Sequence, residues 1–300
     1  MSVGHVPPLD FSHADAVWGV AWTAADTVVS VGADGALKQW VATGQRHPPN
    51  APPAAAHTLG LVSLSVSPDG RHALSNSLEG LTCLWDLPRG EVVARFESYA
   101  RATDGAEPSW AVSLHPGGET YAATGGAGNV VVYSAQAESF GQRVATLTSG
   151  RSKFGLTCKH SPDGRRIALA SETGQIYVFD IEAGALSTTY TSHALSVRAL
   201  AWSADSSLLL SASEDKRLVL HDARAAAGGA VAALTGHASW VVSADMSQDG
   251  RLGLSGSADR TIKDTGEVWA VGWRPGGTGA FVSGGEDGVV RWWRGAGAAV

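Results

Sequence analysis

The 300 residues carry 44% hydrophobic and 17% charged side chains, the composition of an ordinary globular protein. A formal net charge of −6, with no run of Lys or Arg, argues against electrostatic binding to nucleic acid or to an anionic membrane. No apolar run approaches the roughly 18 residues of a membrane span, and MSVGHVPPLDF has no basic segment followed by an apolar one, so no signal peptide is expected. Cys83 and Cys158 make neither a disulfide framework nor a metal-type CxxC pair, which points to an intracellular compartment.

An internal repeat organises the rest of the chain. His13 opens the first segment, 13–47, and His57 opens the second, 57–92, 44 residues later. Segments 105–137 and 149–184 lack the histidine but keep the same order of parts, as in PSWAVSLHPGGETYAATGG and KFGLTCKHSPDGRRIALAS. His193 opens 193–226, and His237, again 44 residues on, opens 237–263. A seventh segment, 264–300, begins around EVWAVGWRPGG.

Inside each period the parts recur as strand, turn, strand, turn, strand. In the fifth, VRALAW, LLLSAS and RLVLHD alternate with a period of two. SPDG (67–70 and 161–164), SADS (203–206) and SQDG (247–250) supply turn chemistry: proline presets φ, and glycine accepts a positive φ. No stretch has a helical period. Four short strands in about 40–45 residues is the arithmetic of a propeller blade. The expected fold is therefore an all-β, seven-bladed propeller occupying residues 1–300 as one domain.

Two places strain that expectation. The chain ends on VVRWWRGAGAAV, which matches a third strand, so the fourth strand of the last blade must come from residues 1–12, near His5–Phe11. Pro7 and Pro8 make that a poor strand. The other place is SGSADRTIKDTGEVWAVGW, 255–273. One full period from His237 falls at 281, yet the next opening position, five residues before Trp269, is Asp264, 17 residues short. The sixth blade should therefore lack, after Lys263, the end of its third strand and all of its fourth. It is expected to be three-stranded at best, with an unpaired edge.

The motifs then carry a family resemblance. LTCLWDL (81–87) holds a Trp-Asp pair and TGHASW (235–240) a Gly-His pair, and both recur in weaker form. The chain resembles the WD-repeat family over essentially its whole length. The resemblance implies a hydrogen-bonded set of His, Ser or Thr, Asp and Trp inside each blade. Repeat 1 supplies His13, Ser30, Asp34 and Trp40, and repeat 2 supplies His57, Ser75, Glu79 and Trp85. Repeat 5 supplies His193, Ser211 and Asp215 with His221 in the tryptophan place, and repeat 6 supplies His237, Ser255 and Asp259 with no tryptophan. Such a cluster is tolerated inside a protein only when its donors and acceptors satisfy one another.

His, Ser and Asp also spell a catalytic triad, but a catalytic set occurs once and this one recurs every 44 residues. HExxH, GxSxG and GxxxxGK[ST] are absent from the sequence. The glycine-rich ATGGAGNV (123–130) sits between two strands, whereas a phosphate loop needs a helix N-terminus behind it. The expectation is a non-enzyme, with no catalytic residue, metal or cofactor.

The tryptophans divide by position. Trp22, Trp202 and Trp273 end innermost strands and are candidate core; Trp40, Trp85 and Trp293 hold the Trp-Asp place. Trp18, Trp110, Trp240 and Trp269 lie at the start of innermost strands, with Phe154 and Arg198 at similar places in repeats 4 and 5. In a propeller that start faces the channel and the top surface. Aromatic and Arg side chains gathered there are the material of protein-binding hot spots, the alternative being packing between blades.

HADAVWGVAW (13–22), residues 153–180, 236–263 and 268–293 resemble the WD-repeat subunit shared by the Ski (superkiller) and Paf transcription-elongation complexes, whose plant members are the vernalisation-independence proteins. The likeness is weakest over 41–56, where that family has an outer strand. It implies a non-enzymatic scaffold of nucleus and cytoplasm, present as a single copy in a hetero-complex. Its partners would be a TPR-repeat scaffold and an RNA helicase feeding mRNA to the exosome for 3′-to-5′ decay, or Paf complex subunits during RNA polymerase II elongation and histone modification. No direct contact with nucleic acid or membrane is implied. Two other readings remain open at this point: a substrate adaptor of a cullin-type ubiquitin ligase, and a propeller hydrolase using the channel floor.

Overall fold

A computed structural model describes residues 12–41, 57–98, 109–151, 153–225, 229–261, 267–276 and 279–294. Five blades follow one another in chain order. Blade 1 holds β1 (Val17–Trp22), β2 (Thr27–Gly32) and β3 (Leu37–Val41). Blade 2 holds β4 (Leu61–Val66), β5 (His72–Ser77), β6 (Leu81–Asp86) and β7 (Glu91–Glu97). Blade 3 is β8 (Ser109–Leu114), β9 (Thr120–Gly125), β10 (Val130–Ser134) and β11 (Arg143–Leu147). Blade 4 is β12 (Gly155–His160), β13 (Arg166–Ser171), β14 (Ile176–Asp180) and β15 (Ala185–Tyr190). Blade 5 is β16 (Val197–Trp202), β17 (Leu208–Ser213), β18 (Arg217–Asp222) and β19 (Ala230–Thr235). Next comes a hairpin of β20 (Val241–Met246) and β21 (Gly253–Ser257). The last blade is β22 (Val268–Trp273), β23 (Ala280–Gly285) and β24 (Val290–Arg294). The only helical segment among the described residues is a 3-10 turn at Ala137–Ser139.

The expected seven-bladed ring is corrected by this count. Six sheets of three or four strands make six blades, and the sheet between blade 5 and the last blade is a two-stranded hairpin. The reason is the short repeat: 237–263 has too few residues for a third and a fourth strand before β22 begins. Among the described residues the hairpin has two strands, within the expected limit of three. Lys263 and Asp264, the residues of the junction itself, lie outside the described residues, as do 42–56 and His5–Phe11, where outer strands were sought. At the edge of the described N-terminus, Ser12 bridges antiparallel to Val289 beside β24, and the Gly288 carbonyl accepts the His13 N–H at 2.7 Å.

The strands without a counterpart among the described residues are outer ones, and the ring of first strands still closes. β20 packs between β16 and β22, and β22 packs against β1. The second strands of the six blades are buried along nearly their whole length, as in β13, because each is covered by a neighbouring sheet on both faces. The outermost β7 alternates exposed and half-buried, the pattern of a strand covered on one face. In the SPDG turns Gly70 and Gly164 take φ of 69° and 72°, the left-handed conformation that glycine adopts without strain. At the closing seam Arg274 grips Asp26 with two hydrogen bonds, 2.8 and 2.6 Å, and lies 5.3 Å from the centre of the Trp22 ring.

Candidate protein-interaction site

The histidine sets come together inside the blades. In blade 1, Trp40 Nε1–H donates to Ser30 Oγ at 2.8 Å, Ser30 Oγ meets His13 Nε2 at 2.8 Å, and His13 Nδ1 meets Asp34 at 2.8 Å. These contacts form one directed chain if His13 carries its proton on Nδ1. Burial alone would raise the Asp34 carboxyl, but hydrogen bonds from His13 and from the Ala14 and Ala36 N–H groups hold it well below the usual range. Blade 2 repeats the chain as far as His57, through Trp85 to Ser75 at 2.8 Å and Ser75 to His57 at 2.9 Å. There it stops. Glu79 is one methylene longer than Asp and is held by the Thr58 N–H and hydroxyl, 3.8 Å from His57 Nδ1, which has no hydrogen-bond partner. Burial, only partly opposed by Glu79, pushes His57 down to about 4.

In blade 5 His193 joins Ser211 at 2.8 Å and Asp215 at 2.9 Å, and His221 meets Ser211 at 3.0 Å in the indole's place. The hairpin keeps His237 to Ser255 at 2.9 Å and to Asp259 at 2.8 Å, with no indole. The last blade joins Trp293 Nε1–H to Ser283 Oγ at 2.8 Å, a pair of which the Trp-Asp motif marks Trp293 alone. Its signal was the ten-residue interval shared by Ser30 and Trp40 and by Ser75 and Trp85. The side chains of His13, His57 and His193 are fully buried, so no substrate can reach them. Burial pushes the Cys83 and Cys158 thiols up to about 12, which leaves both unreactive near neutral pH.

A different position in each blade opens outward. Every first strand has a β-bulge at its second residue: Trp18, Val62, Trp110, Leu156, Arg198, Val242 and Trp269. A bulge re-aims the side chain it carries. All seven residues line one cavity of about 570 Å³, joined by Trp240 and Glu267. Of the six expected top-face residues, Trp18, Trp110, Arg198, Trp240 and Trp269 share that cavity. Phe154 is not part of its wall and packs edge-on against Trp110, ring centres 5.6 Å apart. Trp240 lies just ahead of β20 rather than on its bulge, which is held by Val242. It is 50% exposed, and Trp269 is 38% exposed, large values for indoles. Arg198 is fixed by Glu214, its Nε–H donating at 2.6 Å. The aliphatic Val62, Leu156 and Val242 were missed because no residue chemistry marks them; only their place in the repeat does.

Among the described residues there is no group of three or more His, Cys, Asp or Glu side chains able to hold a metal ion, and no helix long and apolar enough to cross a membrane. Residues 7–41, 54–86, 184–222, 228–263 and 264–294 match the family described as WD domain, G-beta repeat, together more than half of the chain. The chain belongs to the WD-repeat family. Among curated WD-repeat relatives, Arabidopsis thaliana WD repeat-containing protein VIP3 is 28% identical over 229 residues, 68% of this chain and 65% of its own. Meiotic recombination protein rec14 of Schizosaccharomyces pombe is 27% identical over 193 residues, 64% of this chain and 61% of its own. WD repeat-containing protein SL1-17 of Schistosoma mansoni is 29% identical over 171 residues, 56% of this chain and 52% of its own. The chain thus spans less than two thirds of the length of each of these relatives.

Proposed function

We propose that this WD-repeat protein is a non-enzymatic scaffold whose tryptophan-lined cavity receives a segment of a partner protein. In the finer reading it serves as the WD-repeat subunit of a Ski-type complex, a Paf-type complex or both, in cytoplasm and nucleus. The observation that carries the scaffold reading is the cavity itself. Four indoles and an arginine converge there from different repeats, all but Trp240 held by bulges on a closed ring of strands. Rigid aromatic anchors cost little entropy on binding and bury large areas. The finer reading is supported by the stretches that resemble the shared Ski and Paf subunit and by the similarity to VIP3.

The test is affinity purification of the full chain with mass spectrometry, beside a variant carrying Trp18→Ala, Trp110→Ala, Arg198→Glu, Trp240→Ala and Trp269→Ala. The expected result is recovery of a TPR-repeat scaffold with an RNA helicase, or of Paf subunits, and their loss from the variant while its circular dichroism stays native. Partners retained by the folded variant would overturn the cavity. A cullin-type ligase in place of those partners would overturn the finer reading and leave the cavity standing.

A further inference from the structure

Elsewhere in the ring Trp40, Trp85 and Trp293 give their indole N–H to the blade serines, Trp22 gives its own to Asp26 at 2.9 Å, and Trp202 to the Lys159 carbonyl at 3.1 Å. The indoles of the cavity do not. Among the described residues no acceptor meets the N–H of Trp18, Trp110, Trp240 or Trp269, and the Trp18 and Trp110 nitrogens are not buried. The charge of the same wall is nearly balanced. Arg198 is neutralised by Glu214, which accepts from its Nε–H at 2.6 Å, and Glu267 adds one carboxylate at the rim. The Ser63 hydroxyl is taken up by β8, where it accepts the Val112 N–H at 3.0 Å.

A wall of aromatic faces and unspent donors complements an apolar ligand that carries neutral acceptors and few donors. An ordinary extended peptide brings one N–H with every carbonyl, and each N–H enclosed here without an acceptor would cost about 1–3 kcal/mol. Proline brings none. A polyproline II run offers carbonyls alone, with flat apolar rings between them, and its conformation is set before binding. We propose that the segment received by the cavity is proline-rich, its rings lying on the indole faces and its carbonyls accepting the indole N–H groups. This rests on the reading of the cavity as a docking site for a partner protein. An acidic segment would meet Glu267 and a cation already neutralised. A basic segment would add donors to a wall of donors.

The probe is an acetylated, amidated oligoproline added to the full-length protein and followed by tryptophan fluorescence and titration calorimetry. Glycine–serine, glutamate-rich and arginine-rich peptides of the same length are the comparison. Oligoproline should saturate about tenfold more tightly than any of the three, and added salt should leave its affinity unchanged. Trp240→Phe and Trp269→Phe keep an aromatic ring and remove the N–H. Each should weaken oligoproline about fivefold, the loss of one hydrogen bond, while circular dichroism stays native. No saturation up to the peptide's solubility limit would overturn the proposal. So would equal or tighter binding of any comparison peptide, or an affinity indifferent to both Trp→Phe changes. If oligoproline fails while the five-residue variant still loses its partners, the docking cavity stands and its proline-rich occupant falls.

Discussion

Blade 5 and the hairpin after it begin 44 residues apart and start alike. His193 and His237 make the same two contacts, to a serine on the second strand and an aspartate in the following turn, within 0.1 Å of each other. They differ in what lies beyond the second strand. Blade 5 has β18 and β19; among the described residues the hairpin has no counterpart of either. The His193 side chain is fully buried and Ser211 is inaccessible, whereas the His237 side chain is 15% exposed and Ser255 is half-buried. The polar set is thus assembled by the first two strands and their turn. The third strand dries it, and drying is what gives such a set its energetic weight.

The largest test of that comparison is removal of an indole from a complete blade. Trp85→Ala should cost about 3–5 kcal/mol of unfolding free energy by urea titration, since Trp85 is 1% exposed and caps Ser75. A cost below about 1 kcal/mol would mean the third strand matters little, and blade 5 and the hairpin would be equivalents. Next comes the paired substitution His193→Ala against His237→Ala. The first should cost about 2–3 kcal/mol and the second about 1 kcal/mol, because the hydrogen bond lost at Ser211 lies in a wholly buried place and the one lost at Ser255 in a half-buried one. Equal costs would break the comparison.

Acid sharpens it further. His57 and His221 are each held down to about 4 by burial, and burial lowers His193 as well, outweighing Asp215. Unfolded histidine titrates near about 6.5. Below that the unfolded chain binds protons that these buried rings refuse, so stability is complete above about pH 6.5 and is lost as pH falls towards about 4. The Asp34 and Asp259 carboxylates, lowered by their hydrogen bonds, add a further loss at still lower pH. Urea midpoints at pH 7.5, 6 and 5 should fall in that order; a constant midpoint would mean the rings are not dry. The smallest effect belongs to Trp240→Ala. At 50% exposure its loss should move stability by no more than about 0.5 kcal/mol while weakening partner capture.

Much of the fold is local chemistry and was legible for that reason. The strand alternation of LLLSAS, the SPDG turns and the 44-residue interval between histidines depend on neighbours in sequence, and they lead to an all-β propeller without any contact being known. The blade number was overcounted because seven openings were counted as seven blades. An opening motif marks a first strand, while a blade needs a third, and the residues from 237 to 263 cannot supply it. The site divides along the same line. Trp18, Trp110 and Trp269 are visible as aromatic residues at strand starts. Nothing local sets Trp240, ahead of its strand, apart from Phe154, which turns aside to pack on Trp110.

By itself, then, the sequence determined the repeat, the strand order within it, the histidine–serine–aspartate spacing and the 17-residue shortfall, since all of these are distances along the chain. Only the tertiary structure decided that the shortfall leaves the ring of first strands whole. It also decided that seven bulged residues from separate repeats meet at one cavity. Those outcomes depend on ring closure, which brings Arg274 to Asp26 across 248 residues of chain. No local pattern encodes a contact of that length.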